Sequence, residues 1–240
     1  DFQTRMPFDR FDKARMRFTL SRNGKQVYQG ERILFTHAGR QIIELQNADL
    51  WWPRGYGEPA LYEARAELID IDGEVVDTDV RKIGLRTVKL DLSDINLPDE
   101  RGRFCFEVNG EKIFIRGTNW VPLDALHSRD AAQYESALKL VTDANCNMIR
   151  CWGGNVYEDT RFFELCDENG LMIWQDFAMG CAFYPQRDDF LDGLRREVMS
   201  VVLKLRNHPS LVLWAGNNED DANLYWGLMA FHLDPNRDAV

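Results

Sequence analysis

The second half of this chain alternates short apolar runs with helical patterns four times over, and few architectures accept that alternation. The apolar runs are Ile113-Phe114-Ile115-Arg116-Gly117-Thr118-Asn119-Trp120, Asn147-Met148-Ile149-Arg150-Cys151-Trp152-Gly153-Gly154, Leu171-Met172-Ile173-Trp174-Gln175-Asp176 and Leu211-Val212-Leu213-Trp214-Ala215-Gly216-Asn217-Asn218-Glu219. Runs this short and this aliphatic fit fully buried parallel strands. Between them lie helical stretches. The first starts near Asp130, after Ser128 as a cap, and puts Tyr134, Ala137, Leu138 and Val141 on one face. The second carries Phe162, Phe163, Leu165 and Cys166 and stops at Asn169-Gly170, where glycine accepts the left-handed turn that closes a helix. The third repeats Phe190, Leu194, Val198, Val201 and Leu205 at steps of three or four, with Asp188 and Asp189 at its start and Arg206 at its end, as the helix dipole prefers. Parallel strands need crossovers of this length, so the pattern predicts βαβ units.

Each run ends in polar or aromatic residues, and the fourth ends in an acid. In parallel α/β barrels the chemistry sits at the C-terminal ends of the strands, so Glu219 is placed where a proton-transfer group belongs. Asn218 beside it can hold a ligand hydroxyl. The plainer reading makes the same residues a helix start, with Asn218 or Asp220 as N-cap and Glu219 in the first turn.

Motif order and spacing narrow the choice. The chain carries Leu50-Trp51-Trp52-Pro53-Arg54-Gly55-Tyr56-Gly57 with Leu61-Tyr62, then Arg81-Lys82-Ile83-Gly84-Leu85-Arg86, Val108-Asn109-Gly110, Arg116-Gly117-Thr118-Asn119-Trp120, the Asn147 to Gly154 run, Trp174-Gln175-Asp176-Phe177 and Gly216-Asn217-Asn218-Glu219. In that order they resemble glycoside hydrolase family 2 over nearly the whole length. The double Asn before Glu219 and the Trp-Gln-Asp of the third strand resemble the β-mannosidase branch.

The resemblance implies a retaining glycosidase acting on a β-mannoside-containing oligosaccharide, with no cofactor and no metal. It gives Glu219 the role of acid/base, and Asn218 a hydrogen bond to the sugar 2-hydroxyl. Arg150 would orient the nucleophile, Trp152 would wall the sugar site, and Asp176 would bind sugar hydroxyls or make a rim ion pair. Asn119 and Trp120, at the end of the first strand, complete the substrate-binding set, whereas Trp174 and Trp214 read as core. Other family 2 activities (exo-β-glucosaminidase, endo-β-mannosidase, β-galactosidase) and a non-catalytic carbohydrate-binding or interaction fragment remain as alternatives.

The first ninety residues follow a different pattern. Arg15 to Leu20 alternates polar and apolar, Asn23-Gly24 signals a hairpin into Gln26 to Tyr28, and further runs follow at Ile33 to Phe35, Gln41 to Leu45, Tyr62 to Ile69 and Val75 through Val88. Short strands joined by turns read as a β-sandwich, and the resemblance implies an immunoglobulin-like one. The organisation expected is a sandwich over residues 1–90, a linker at 91–103 and, from 104 to 240, the N-terminal half of a (β/α)8 TIM barrel entered through a hairpin around Asn109-Gly110. A complete barrel takes about 250 residues, so four strands and a fourth helix at Ala222 to Phe231 make half of one. In the family the nucleophile follows strand seven, beyond Val240. Asp1-Phe2-Gln3 also reads as a cut start.

Composition agrees. A net charge of −10 disfavours nucleic acid and anionic membranes as partners but does not hinder a neutral sugar. No apolar run reaches membrane-spanning length. The five cysteines (105, 146, 151, 166, 181) show no paired spacing, so no disulfide framework is expected, and the four histidines show no metal spacing. Gly153-Gly154 follows a strand but lacks the rest of any nucleotide fingerprint. The open edges of half a barrel favour self-association.

Overall fold

A computed structural model describes residues 1–5, 13–93, 104–220 and 222–223. The chain divides into two compact units, the first made of Asp1–Leu50 with Ala60–Leu85 and the second of Trp51–Pro59 with Arg86–Val240. The division therefore falls earlier than the expected sandwich boundary at residue 90, and it also transfers the Trp51–Pro59 segment to the barrel unit. Residues 94–103 of the expected linker and most of the expected fourth helix lie outside the described residues.

The first unit is all β. Its strands are β1 (Phe2–Gln3), β2 (Arg15–Arg22), β3 (Lys25–Ile33), β4 (Ala38–Gly39), β5 (Tyr62–Ile69) and β6 (Val75–Ile83). Four of them form an antiparallel sheet in the order β3-β2-β5-β6, and β1 pairs with β4. Asn23 and Gly24 both take positive φ (51° and 75°), the primed turn that matches the twist of a hairpin. The register sets Phe18 opposite Ala66 and Leu20 opposite Ala64, so the apolar positions of the two central strands share one face. Gln41 to Leu45, whose alternation predicts a strand, is not one. Ile43 and Leu45 instead line a cleft of about 430 Å³ with Phe18, Leu20 and Ala64. The alternation there reports one side of an extended segment turned toward the sheet, without a ladder.

The second unit opens with an antiparallel meander of β7 (Val88–Asp91), β8 (Cys105–Val108) and β9 (Glu111–Ile113). The expected hairpin turn is present, with Asn109 and Gly110 at φ 52° and 86°. Four parallel strands follow: β10 (Gly117–Trp120), β11 (Met148–Cys151), β12 (Met172–Asp176) and β13 (Leu211–Ala215), in spatial order β10-β11-β12-β13. Between them run a 3₁₀ turn (His127–Ala132) with α1 (Tyr134–Asp143), then α2 (Thr160–Asn169), then α3 (Asp188–Leu205). Sequential order with helical crossovers is the barrel pattern. The first strand is shorter than its apolar run, because Ile113 closes the β8–β9 hairpin. Arg116 then turns the chain, its N–H held by the Asn147 side-chain carbonyl at 2.9 Å and its guanidinium by the Asn145 carbonyl at 2.9 Å.

Alternation within the strands separates two faces. Trp120, Ile149, Cys151 and Ile173 pack with Tyr134, Leu138, Phe162, Phe163 and Cys166 in a buried cluster under the helices. The α2 pattern holds as expected: the Asp159 side chain caps its start, and Gly170 closes it at φ 66°. Trp51 is fully buried in this unit, its indole N–H given to the Asp167 carbonyl at 2.8 Å. All five cysteines are free thiols.

Candidate active site

The inner face of the parallel sheet gathers the polar residues. Register places Asn119 opposite Arg150 and Arg150 opposite Trp174, and an irregularity in the β12–β13 ladder between Ile173 and Trp174 brings Leu213 beside Trp174. Irregularities of this kind re-aim side chains near functional sites. Asn119, Arg150 and Trp174 line one cleft of about 530 Å³ with Gly117, Met148 and Phe104. Trp174 is therefore on the open side of the sheet, a correction to its reading as core. Trp214 packs against the helix-side cluster, and its ring stacks on Phe177 at 5.3 Å.

Asp176 is the most heavily bonded group of this face. Its side chain is 0% exposed and accepts Arg150 Nη2 at 2.6 Å, Arg150 Nε at 3.4 Å, the Trp174 indole N–H at 2.9 Å and the Gly153 N–H at 3.0 Å. Four donors on two oxygens leave little acceptor capacity for a ligand. Of the two readings the sequence left open, these bonds make the rim ion pair. The Arg150 guanidinium also lies over the Trp174 ring, 5.4 Å from its centroid, which adds a cation–π contact.

Arg150 reaches a second partner. Its Nη2 donates to Asn218 Oδ1 at 2.9 Å, tying the end of β11 to the segment after β13. The loop after β12 joins the same segment through backbone bonds, Asn218 N–H to the Met179 carbonyl at 2.9 Å and Cys181 N–H to the Asn218 carbonyl at 2.8 Å. Asn218 is thus 8% exposed and fixed at both backbone and side chain. Its amide nitrogen donates to Cys181 Sγ at 3.3 Å, and the Cys181 thiol donates to Glu219 Oε2 at 3.4 Å. A primary amide has two N–H donors and two acceptor lone pairs. Arg150 and Cys181 take one of each, which leaves one of each.

Glu219 is exposed and has φ 60°, in the left-handed region that a branched or long side chain rarely adopts. Its carbonyl accepts the Asn223 N–H at 2.8 Å, the first bond of a helical turn. Glu219 therefore stands ahead of that turn with a left-handed backbone, and not inside the first turn as a helix-start acid would. Left-handed backbone in a non-glycine residue costs about 1–2 kcal/mol, and such outliers cluster at functional sites.

Gly153 and Gly180 make the loops fit. A Cβ on Gly153 would lie 2.5 Å from the Met179 carbonyl oxygen, and one on Gly180 would lie 2.9 Å from the Gly154 nitrogen. The paired glycines after β11, which lack a nucleotide fingerprint, serve this backbone approach. Trp152 is half-buried, its ring over Gly154, where a Cβ would meet it at 2.1 Å. Trp120 faces the other way: it is 4% exposed, packs its ring at a tilt against Phe162 and gives its indole N–H to buried Glu158 at 2.8 Å. The expectation that it binds substrate is corrected, because strand alternation turns it toward the helices. Of the residues singled out in sequence, the structure joins Arg150, Asp176 and Asn218 by direct bonds and sets Asn119 in the same layer. Cys181 was missed. It lies in a loop with no periodicity, next to Glu219 in space but 38 residues away in sequence.

Comparison with known proteins agrees with this architecture. The Glycosyl hydrolases family 2 model matches residues 15–86, and the Glycosyl hydrolases family 2 TIM barrel domain model matches residues 103–238. The chain belongs to glycosyl hydrolase family 2. It is 41% identical to Beta-mannosidase of Bos taurus over 209 residues, covering 85% of this chain and 23% of that protein. It is 40% identical to Beta-mannosidase B of Aspergillus terreus over 209 residues, covering 86% and 24%. The crystal structure of Beta-D-Mannosidase from Dictyoglomus thermophilum superposes with a TM-score of 0.78 at 37% identity, over 89% of this chain and 26% of that one. Beta-glucuronidase 3 of Bacteroides uniformis superposes at 0.72 with 25% identity, over 86% and 24%. The fold is thus the family's immunoglobulin-like sandwich followed by part of its TIM barrel, and the chain spans about a quarter of the length of these relatives.

Proposed function

We propose that this chain carries the acid/base half of a retaining β-mannosidase active site, with Glu219 as acid/base and the nucleophilic carboxylate supplied from outside these residues. The observation that carries the reading is the setting of Glu219. It follows the fourth parallel strand, exposed on left-handed backbone, beside an Asn218 whose amide is held by Arg150. The remaining N–H and lone pair of Asn218 suit a sugar hydroxyl, and a hydrogen bond to the 2-hydroxyl that strengthens in the transition state contributes to glycoside hydrolysis. Arg150 is already committed to Asp176 and Asn218, so its action on an incoming nucleophile would be charge neutralisation beside a fixed guanidinium.

In the first step Glu219 would protonate the glycosidic oxygen as the nucleophile attacks the anomeric carbon and the aglycone leaves. In the second, the Glu219 carboxylate would take a proton from water as water displaces the carboxylate ester, returning the enzyme to its starting state. Resemblance to named β-mannosidases at about 40% identity supports mannose as the sugar.

The test uses a polypeptide that carries this chain within a complete eight-stranded barrel. Kinetics on aryl β-mannoside, β-galactoside, β-glucuronide and β-glucosaminide should rank the mannoside first; any other order removes the mannoside assignment. Glu219→Ala should lose roughly a hundredfold or more on substrates with poor leaving groups, given the 10²–10⁴ typical of general acids, and far less on activated aryl mannosides. Azide should restore turnover and yield the β-mannosyl azide. Equal losses on all leaving groups without azide product would falsify the acid/base role.

A further inference from the structure

We infer that Cys181 is a positioning residue for Glu219, its S–H acting as the last link of a donor chain that runs from Arg150 through Asn218 to the carboxyl group. The inference rests on the acid/base reading above and deepens it.

Arg150 Nη2 donates to Asn218 Oδ1 at 2.9 Å, Asn218 Nδ2 donates to Cys181 Sγ at 3.3 Å, and Cys181 Sγ donates to Glu219 Oε2 at 3.4 Å. Each link fixes the direction of the next. A guanidinium only donates, so the Asn218 oxygen must face Arg150 and its NH₂ must face Cys181. A thiol that accepts from the amide then points its own hydrogen at the acid. Hydrogen bonds in series polarise one another, so the chain transmits the position of Arg150, anchored on buried Asp176, to an exposed carboxyl group.

The loop that brings Cys181 there is itself held. The Tyr184 hydroxyl accepts the Gly180 N–H at 2.7 Å, and the Tyr157 hydroxyl accepts the Ala178 N–H at 2.8 Å while donating to Glu197 on α3 at 2.8 Å. Backbone bonds on both sides of Asn218 close the loop onto the segment after β13. Cys181 has φ 53° and Glu219 φ 60°, so two non-glycine residues in left-handed backbone face each other across one contact. Strain of that kind persists only where the surroundings over-determine it.

Charge keeps the thiol a donor. The hydrogen bond to Glu219 raises the Cys181 pKa first, desolvation and the charges of Glu219 and Asp220 raise it further, and the Asn218 amide lowers it. Cys181 therefore stays protonated around neutral pH. A thiolate would instead face two carboxylates.

Two measurements test this. In the 240-residue chain, alkylation of Cys181 by iodoacetamide is followed by peptide mass spectrometry across pH. The half-reaction pH should lie above that of an ordinary thiol and fall in Glu219→Gln; an unchanged profile means there is no such contact and overturns the inference. In the polypeptide with the closed barrel, Cys181→Ala should lower kcat/KM roughly tenfold on poor leaving groups, a part of the full acid effect. Activated aryl substrates should change less than about twofold by the same argument, since they do not need the proton. Cys181→Ser should restore most of the loss, because Ala, Ser and Cys share the Cβ and its backbone strain and differ only in the γ-donor. Equal losses on all leaving groups, or a Ser variant no better than Ala, overturn the inference. Glu219→Ala run in parallel separates the two failures. If it is selective for poor leaving groups while Cys181→Ala is not, the acid/base reading stands and only the positioning role falls.

Discussion

Glu219 is legible in the sequence as an acid ending a strand, but its backbone is not. Nothing in Gly216-Asn217-Asn218-Glu219 marks the fourth residue as left-handed, since glycine and asparagine are the residue types that usually take that conformation and both lie before it. The left-handed backbone has a testable consequence for stability. Glu219→Gly should relieve about 1–2 kcal/mol of steric cost, offset by about 0.5–1 kcal/mol from the looser unfolded chain. We expect the calorimetric transition of the barrel unit to rise by a degree or a few, the order that about 1 kcal/mol gives in a domain of this size. A falling transition temperature would mean that the exposed side chain stabilises the segment and that the strained conformation is incidental. Asp176 and Trp120 show the other limit of reading single residues. Both end strands, yet alternation buries Trp120 among the helices, and four donors saturate Asp176.

At the scale of elements the parallel strands and helices were readable because their periods are strong. The β12 and β13 runs, the α2 stop at Gly170 and the Asn109-Gly110 hairpin all fall where the pattern places them. Two readings failed for a shared reason: a hydrophobic pattern shows which side of a segment is buried and not which bonds its backbone makes. Ile113 to Trp120 is continuous in sequence but is split by Arg116 between a hairpin and a barrel strand, and Gln41 to Leu45 alternates without pairing. The contact between the loops after β11 and β12 was also invisible, because it is made of glycine backbone. Gly153→Ala puts a methyl group 2.5 Å from the Met179 carbonyl, against main chain that cannot rotate away. The loop must shift, and with it the Met179–Asn218 bond and the Cys181 contact. We expect a loss of about 1–3 kcal/mol, the range for overpacking a tight site, and a Cys181 alkylation profile moved toward that of an ordinary thiol. An alanine variant with unchanged melting and an unchanged thiol profile would show that the two loops are less closely packed than this geometry requires.

At the scale of the molecule, what the residues have and lack follows from the sheet. Among the described residues the parallel sheet ends on β10 and β13, each with one unpaired edge, and exposed edges invite pairing with another chain. Retaining hydrolysis needs two carboxyl groups about 5–5.5 Å apart, one to move the proton and one to attack. Among the described residues, the bonds of Arg150 lead to Asp176 directly and to Glu219 through Asn218 and Cys181. Asp176 does not fit the attacking role, because Arg150, Trp174 and Gly153 occupy its oxygens and its side chain is fully buried. In the acid/base role proposed for Glu219, its assistance alone would be worth about 10²–10⁴, far below the acceleration of at least about 10⁶ typical of enzymes. Purified residues 1–240 should therefore show no hydrolysis of an aryl β-mannoside above buffer. Co-expression with a segment supplying the other four strands should restore it, by pairing both edges and bringing the second carboxylate opposite Glu219. A mannosidase rate near ordinary enzyme values from the 240 residues alone, abolished by Glu219→Ala, would place the nucleophile within this chain and overturn the division of the site between its residues and others.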